Sequence, residues 1–506
     1  MAAQPVVTGL KELFSCFYCK SEPMRGRFDW QWLLGLVLGA QLVGAAQAGL
    51  PDIGSPEDAV LSPREERELS REMLHQIRRT MPVLDDPEMN SYIASLGLRL
   101  LANAPGGHPD FRFLLIQDAR INAFAAPGGL VAVNTGLILA ARNEAELAAV
   151  VAHEIAHVTQ RHIVRAYSKG SRTDFASQLA LLAAVLLAGY GGNPELAEAA
   201  LYSTVAANVQ QKLSFSRTHE HEADRIGINI LANAGLDPKA MPQFFETLRQ
   251  RSFTGDNAVP EFLRTHPLTS ERISDARGRA AQMDGPFRQD SLAFRLMQAR
   301  AFVYTAATEA LKARLQATRE GDQPEQPASR YRQALAWIRL EQPAKAIERL
   351  EPLIQAHPDR LPFHLARAEA WLAMQRPEKA LAGLQEVAQL VPQHPPIVAL
   401  LAQALLQAGR PKQAMERLEA TLARHPEHGV LLKLKARAAA LADAPALSHE
   451  AMARYYASMG QTAPALDQIE LALAVPELPL TLQQRLESKR DELRRRIKSQ
   501  RAGSGQ

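Results

Sequence analysis

The chain has 506 residues, 46% of them hydrophobic, and a formal net charge of +4 at pH 7. That length exceeds what one hydrophobic core supports and predicts two or three domains. The charge is too nearly balanced to argue for nucleic acid as a partner, and the two cysteines, Cys16 and Cys19, both precede the expected mature start, which excludes a disulfide framework.

At the N-terminus, Met24-Arg25-Gly26-Arg27 is basic, Leu33 to Val43 is apolar, and Ala46-Gln47-Ala48 ends in small residues. This is the pattern of a cleavable secretory signal. Residues 1–48 are therefore expected to be removed, with Met24 as an alternative start. An uncleaved anchor is the rival reading, but Leu33 to Ala48 falls short of the roughly 20 residues a span needs.

Ser62 to Leu74 and Pro87 to Leu101 read as helices, the first opening with Ser62 as N-cap and Pro63 at the first helical position. Phe111 to Ile116 is strand-like. Ala123 to Ala126 and Leu130 to Val133 flank Pro127-Gly128-Gly129 and form a predicted β-hairpin. Its first strand, with Asn122, Ala123, Phe124 and Ala125, is a candidate edge for an extended peptide, bound through its backbone. An ordinary structural hairpin is the alternative.

Glu144 to Val158 follows as an apolar helix with Asn143 as N-cap and Glu146 at capping-box spacing. It contains His153-Glu154-Ile155-Ala156-His157. One helical turn separates the two histidines, so both imidazoles reach a single ion, while Glu154 lies about 100° around the helix. Two His ligands and a Glu placed to take a proton from water form the HExxH signature of a zinc hydrolase. A buried helix with satisfied core histidines is the bland alternative. Downstream, Leu179 to Leu187 is almost wholly apolar, then glycine-rich, then small-residue helical from Glu195 to Val209. The apolar run is too short to span a bilayer; it suits a core helix, a lid, or a surface touching membrane or partner.

An acidic cluster from Phe215 to Gly227 opens the next apolar helix. Glu220 and Asp224, spaced i, i+4, share a face. Glu220 is the expected third zinc ligand, and Asp224 the expected partner of a ligand imidazole and a catalytic residue. Glu222 points away, and His219 and His221 lie off the Glu220–Asp224 face. His162, five residues beyond His157, extrapolates to about 140° away and is not expected to ligate. His266 precedes Pro267, which disfavours helix there and places it in a loop.

The C-terminal half repeats. Pro343, Pro377 and Pro411 are 34 apart, as are Ala346, Ala380 and Ala414, and Pro358, Pro392 and Pro426. That is the period of tetratricopeptide helix pairs, which stack into solenoids that bind proteins. Leu292 to Leu315 reads as a preceding helix pair, Gly321 to Ser329 as a connecting loop, and Ala465 to Pro476 as a degenerate unit. The closing helix carries Arg494-Arg495-Arg496, with no interleaved aromatics, and reads as a solvated face.

Asn122 to Gly129, the HExxH segment, and Glu220-x-x-x-Asp224-Arg225 together resemble the zinc metallopeptidase family of the CAAX prenyl proteases. With the repeats, the likeness runs from about Leu50 to the C-terminal helices. It implies a mainly α protein: an α+β zinc-peptidase domain with a small β-sheet over residues 50–285, then a tetratricopeptide α-solenoid over 291–500. It further implies one Zn²⁺ per chain held by His153, His157 and Glu220, and a periplasmic endopeptidase. The substrates and partners it implies are unfolded or stalled outer-membrane β-barrel proteins and their assembly machinery, with peripheral membrane contact. It makes the His266 loop a candidate plug, filling the fourth zinc position in a latent state; a loop hydrogen bond is the alternative for His266. Two other functions stay open: a repeat-based scaffold or chaperone with a latent or structural zinc site, and a mitochondrial-type membrane metalloprotease.

Overall fold

The computed structural model describes residues 61–106, 110–167, 216–254, 260–317 and 326–503. The leader, the apolar run Leu179 to Leu187 and the segment Glu195 to Val209 lie outside the described residues. Among the described residues the protein is mainly helical with one three-stranded sheet.

Helix α1, Pro63–Thr80, starts as its sequence dictates: the Glu65 amide donates to the Ser62 hydroxyl, and the Ser62 amide donates to the Glu65 carboxylate at 2.8 Å. It continues beyond Leu74 because Ile77 extends the buried stripe of Met73 and Leu74, and Arg78 and Arg79 favour its C-terminal end. Helix α2, Pro87–Leu101, is capped by Asp86, which accepts from the Met89 amide at 2.8 Å.

Strands β1 (Arg112–Ile116), β2 (Ala123–Ala126) and β3 (Leu130–Asn134) lie in the order β1-β3-β2, β1 parallel and β2 antiparallel to β3. The β2–β3 turn needs left-handed backbone at Gly128 (φ +78°) and Gly129 (φ +91°), which glycine adopts without steric cost. On the far side of β1, the Leu84 amide donates to the Leu115 carbonyl and the Gln117 amide to the Pro82 carbonyl. That edge is closed, and β2 is the other margin of the sheet.

After a short helix α3, Thr135–Ala140, comes α4, Glu144–Thr159, capped by Asn143 and buried continuously from Glu144 to His157. Past it lie α5 (His162–Tyr167), α6 (Arg217–Asn233), α7 (Ala240–Thr254), α8 (Glu261–Thr265) and α9 (Ser270–Ala281). Gly227 lets α6 approach α4 closely: a Cβ there would come within 3.3 Å of the His153 amide nitrogen and 2.8 Å of the Met241 methyl. Asp224 and Glu220, one and two turns earlier on that side of α6, are thereby carried over the HExxH helix.

The repeats form as the 34-residue period predicts. First helices begin at Pro327, Leu361, Pro395 and Gly429; second helices begin at Pro343, Pro377, Pro411 and Pro445. Ala346, Ala380 and Ala414 are buried where helices cross. The turn inside each pair uses left-handed backbone at Glu341, Gln375, Gly409 and Asp443, again 34 apart. The first helix at Pro327 begins within the stretch expected to be a loop, Gly321 to Ser329. Helices α10 (Leu292–Thr305) and α11 (Thr308–Ala317) precede it. One apolar core runs from α2, the sheet, α4 and α6 through α10 into the first repeats as far as Ala370, across the expected 285–291 boundary.

Candidate metal centre

His153 and His157, a turn apart on α4, face Glu220 of α6 and His266 at the C-terminal end of α8. One ligand atom from each lies within 4.8 Å of the others, and all four residues are buried. His157 Nε2 is 3.0 Å from His153 Nε2 and 3.3 Å from Glu220 Oε1. His266 Nδ1 is 3.3 Å from His153 Nε2 and 3.0 Å from Glu220 Oε1. Donors about 2.0–2.1 Å from a tetrahedral zinc ion would be separated by roughly 3.3 Å, so the spacing fits that ion.

The outer ring nitrogens explain why these inner atoms converge. His153 Nδ1 faces Asp224 Oδ1 at 3.0 Å, His157 Nδ1 faces His162 Nδ1 at 2.9 Å, and His266 Nε2 faces Glu154 Oε1 at 3.4 Å. With those outer nitrogens as donors, three lone pairs and a carboxylate oxygen point at one another. A cation is what neutralises such a set. Burial alone would lower the pKa of His153, yet hydrogen bonds to Asp224 and Glu220 raise it to about 9. Burial drives that of His157 down. Burial pushes the Glu220 carboxyl up, but His266 and the close contacts of the three imidazoles hold it well below the usual range.

Glu154 is buried next to this group, and burial raises its pKa above that of a free carboxylate, opposed by His266 and His153 and by a hydrogen bond from the Ala125 amide. Ala125 belongs to β2, whose Asn122, Ala123 and Phe124 are buried alongside. Phe262 of α8 links strand and loop: its amide donates to the Ile121 carbonyl at 3.2 Å, and its ring stacks on His266 with centroids 4.6 Å apart.

Asp224 is held on both sides. Arg272 Nε and Nη2 donate to its two oxygens at 2.8 Å each, and Arg272 Nη1 lies 2.7 Å from Glu220 Oε2. Its carboxyl is raised by burial but lowered more strongly by Arg272 and His153. Glu222 does not enter the group; it contacts His162 Nε2 at 3.2 Å and Arg165 at 3.0 Å. His219 stacks on His162, and His221 lies 3.8 Å from Asp275.

Sequence reasoning missed three residues around the centre. Arg272 looks like one more charge in Ser270-Glu271-Arg272, and no spacing marks it as buried. Helical extrapolation directs His162 away from the site. The helix instead ends at Thr159, and Arg161 adopts a left-handed φ of +50°, turning His162 back beside His157. Phe262 carries no chemical signature at all.

Residues 87–280 match peptidase family M48, and residues 372–438 match the tetratricopeptide repeat. The chain is 38% identical over 311 residues to the beta-barrel assembly-enhancing protease of Escherichia coli, 61% of this chain and 63% of that protein. It is 37% identical over 329 residues to the Yersinia pestis protein of the same name, 64% of this chain and 67% of that one. It is 33% identical over 159 residues to the mitochondrial metalloendopeptidase OMA1 of Arabidopsis thaliana, 31% of this chain and 29% of that protein. The chain thus spans a little under two thirds of the Escherichia coli relative.

Proposed function

The chain belongs to peptidase family M48, and from that premise we propose that it is a zinc endopeptidase that cleaves unfolded polypeptides and is held latent by its own His266. The observation that carries this reading is the buried convergence of His153, His157, Glu220 and His266 beside Glu154. One zinc per chain would be held by His153, His157 and Glu220. When bound, it supplies Lewis acidity that makes water a nucleophile near neutral pH.

The chain's residues supply the rest. Glu154 takes a proton from the attacking water and returns it to the leaving amine, and its raised pKa suits both transfers. β2 aligns the substrate backbone by strand addition, consistent with sequence-tolerant cleavage of extended chains. Asp224, with both oxygens engaged, orients His153 rather than donating a proton. His266 would be the fourth residue to hold the ion and contacts Glu154, so α8 must withdraw before substrate enters, a gating step.

The names of the bacterial relatives support outer-membrane β-barrel proteins as substrates and their assembly machinery as partner of the repeats. The periplasm is the location this implies. No helix among the described residues is long and apolar enough to cross a membrane. A second reading, a chaperone or scaffold whose metal site is normally shut, is favoured by the position of His266. Incubating purified His266→Ala, in which the plug is removed, with an unfolded β-barrel substrate separates them: cleavage abolished by adding Glu154→Gln supports the peptidase, and equal protection from aggregation by both variants without cleavage supports the scaffold.

A further inference from the structure

The two histidines of the HExxH helix are oriented by different chemistry. Behind His153 stands a carboxylate, Asp224. Behind His157 stands another imidazole, His162, fully buried, with Nδ1 facing Nδ1 at 2.9 Å and ring centroids 4.9 Å apart. Because His157 Nε2 points at Glu220 and His153, its proton belongs on Nδ1 and is donated to His162 Nδ1. His162 must then carry its own proton on Nε2, where Glu222 Oε2 accepts it at 3.2 Å. Arg165 holds that carboxylate from the other side at 3.0 Å. Every proton along His157–His162–Glu222 thus has one consistent location.

The backbone is shaped to deliver this contact. α4 ends at Thr159, and Arg161 takes the left-handed conformation that returns the chain toward His157. Its guanidinium fixes the turn from α1, with Nε 2.8 Å from Glu66 Oε1 and Nη2 on the Leu61 carbonyl. His219 of α6 stacks on the face of the His162 ring, centroids 4.6 Å apart and rings 11° from parallel.

We infer that His162 is a positioning residue for the metal centre: it fixes the tautomer and ring orientation of His157 through a neutral imidazole backed by Glu222. This rests on the reading of His157 as a metal ligand. The consequence is chemically selective, because an asparagine Oδ1 takes the place of histidine Nδ1 as acceptor, whereas phenylalanine fills the volume and accepts nothing.

The test is the zinc dissociation constant of the purified full chain, measured by competition with a chromophoric chelator, with the Tm of each metal-free protein recorded alongside. His162→Phe is expected to weaken zinc binding by about 10–100-fold, and His162→Asn by no more than about threefold. Zinc binding by His162→Phe as tight as in the unaltered protein overturns the inference, and so does His162→Asn binding as weakly as His162→Phe at matched metal-free Tm. His157→Ala is the control: undiminished zinc binding there would bring down the metal-centre reading itself, whatever the His162 variants do.

Discussion

Glu220 and Asp224 sit one helical turn apart, and Arg272 touches both, so the site holds two buried carboxylates against one buried guanidinium. Removing the cation leaves uncompensated buried charge. Arg272→Met is therefore expected to cost about 3–5 kcal/mol of stability, read by chemical denaturation. Glu220→Gln should lose metal and peptidase activity together, whereas Glu222→Gln keeps an oxygen to accept from His162 and should retain most of both. Metal analysis of the two variants checks the assignment, and loss of metal only in Glu222→Gln would reverse it. Asp224→Asn should reduce turnover more than metal content, since it disturbs the orientation of His153. The pair His153 and His157 was legible because helical periodicity alone puts both on one face. Arg272 was not, because its role depends on the tertiary packing of α9 against α6, which no local pattern encodes.

Helix α8 has five residues and carries two anchors, Phe262 on the Ile121 carbonyl and His266 in the metal group. Pro267 correctly implied that helix stops at His266, but the sequence alone left open what that imidazole faces. The hairpin was legible from Pro127-Gly128-Gly129 and its flanking apolar residues. The parallel β1–β3 pairing was not, since it depends on a crossover rather than on a turn. In the repeats, register came directly from proline and alanine spaced by 34, because Pro343, Pro377 and Pro411 each start a second helix and each alanine sits at a close crossing. Ala414 is fully buried in the packed repeat core. Ala414→Leu is expected to destabilise the chain by about 1–3 kcal/mol through overpacking, measured by urea unfolding.

Across the whole molecule, peptidase and repeat halves meet at a buried ionic cluster. Arg300 of α10 reaches Asp86 at 2.8 Å, Glu88 at 3.2 Å and Glu369 of the second repeat at 2.7 Å, and Tyr331 of the first repeat donates to Glu88 at 3.2 Å. One cation cannot neutralise three carboxylates. Burial raises the pKa of Glu88 from 4.5 to about 8, only partly opposed by Arg300. Its raised value means the folded state holds a proton that the unfolded state has released, so this group's contribution to stability falls as pH climbs from 4.5 to about 8. Glu88→Gln removes that dependence: relative to the unaltered protein, its Tm should improve as pH rises across that window, and a constant Tm difference would contradict the assignment. With the halves joined in this way and sharing one core, a partner engaging the repeats acts on the body that carries the metal centre. The most direct test of a latent zinc peptidase is cleavage of an unfolded β-barrel substrate by His266→Ala, with and without Glu154→Gln, at equal zinc content. The expected result is faster cleavage by His266→Ala than by the unaltered chain, and none once Glu154→Gln is added. Slower cleavage by an intact, zinc-loaded His266→Ala, or cleavage that survives Glu154→Gln, would contradict it.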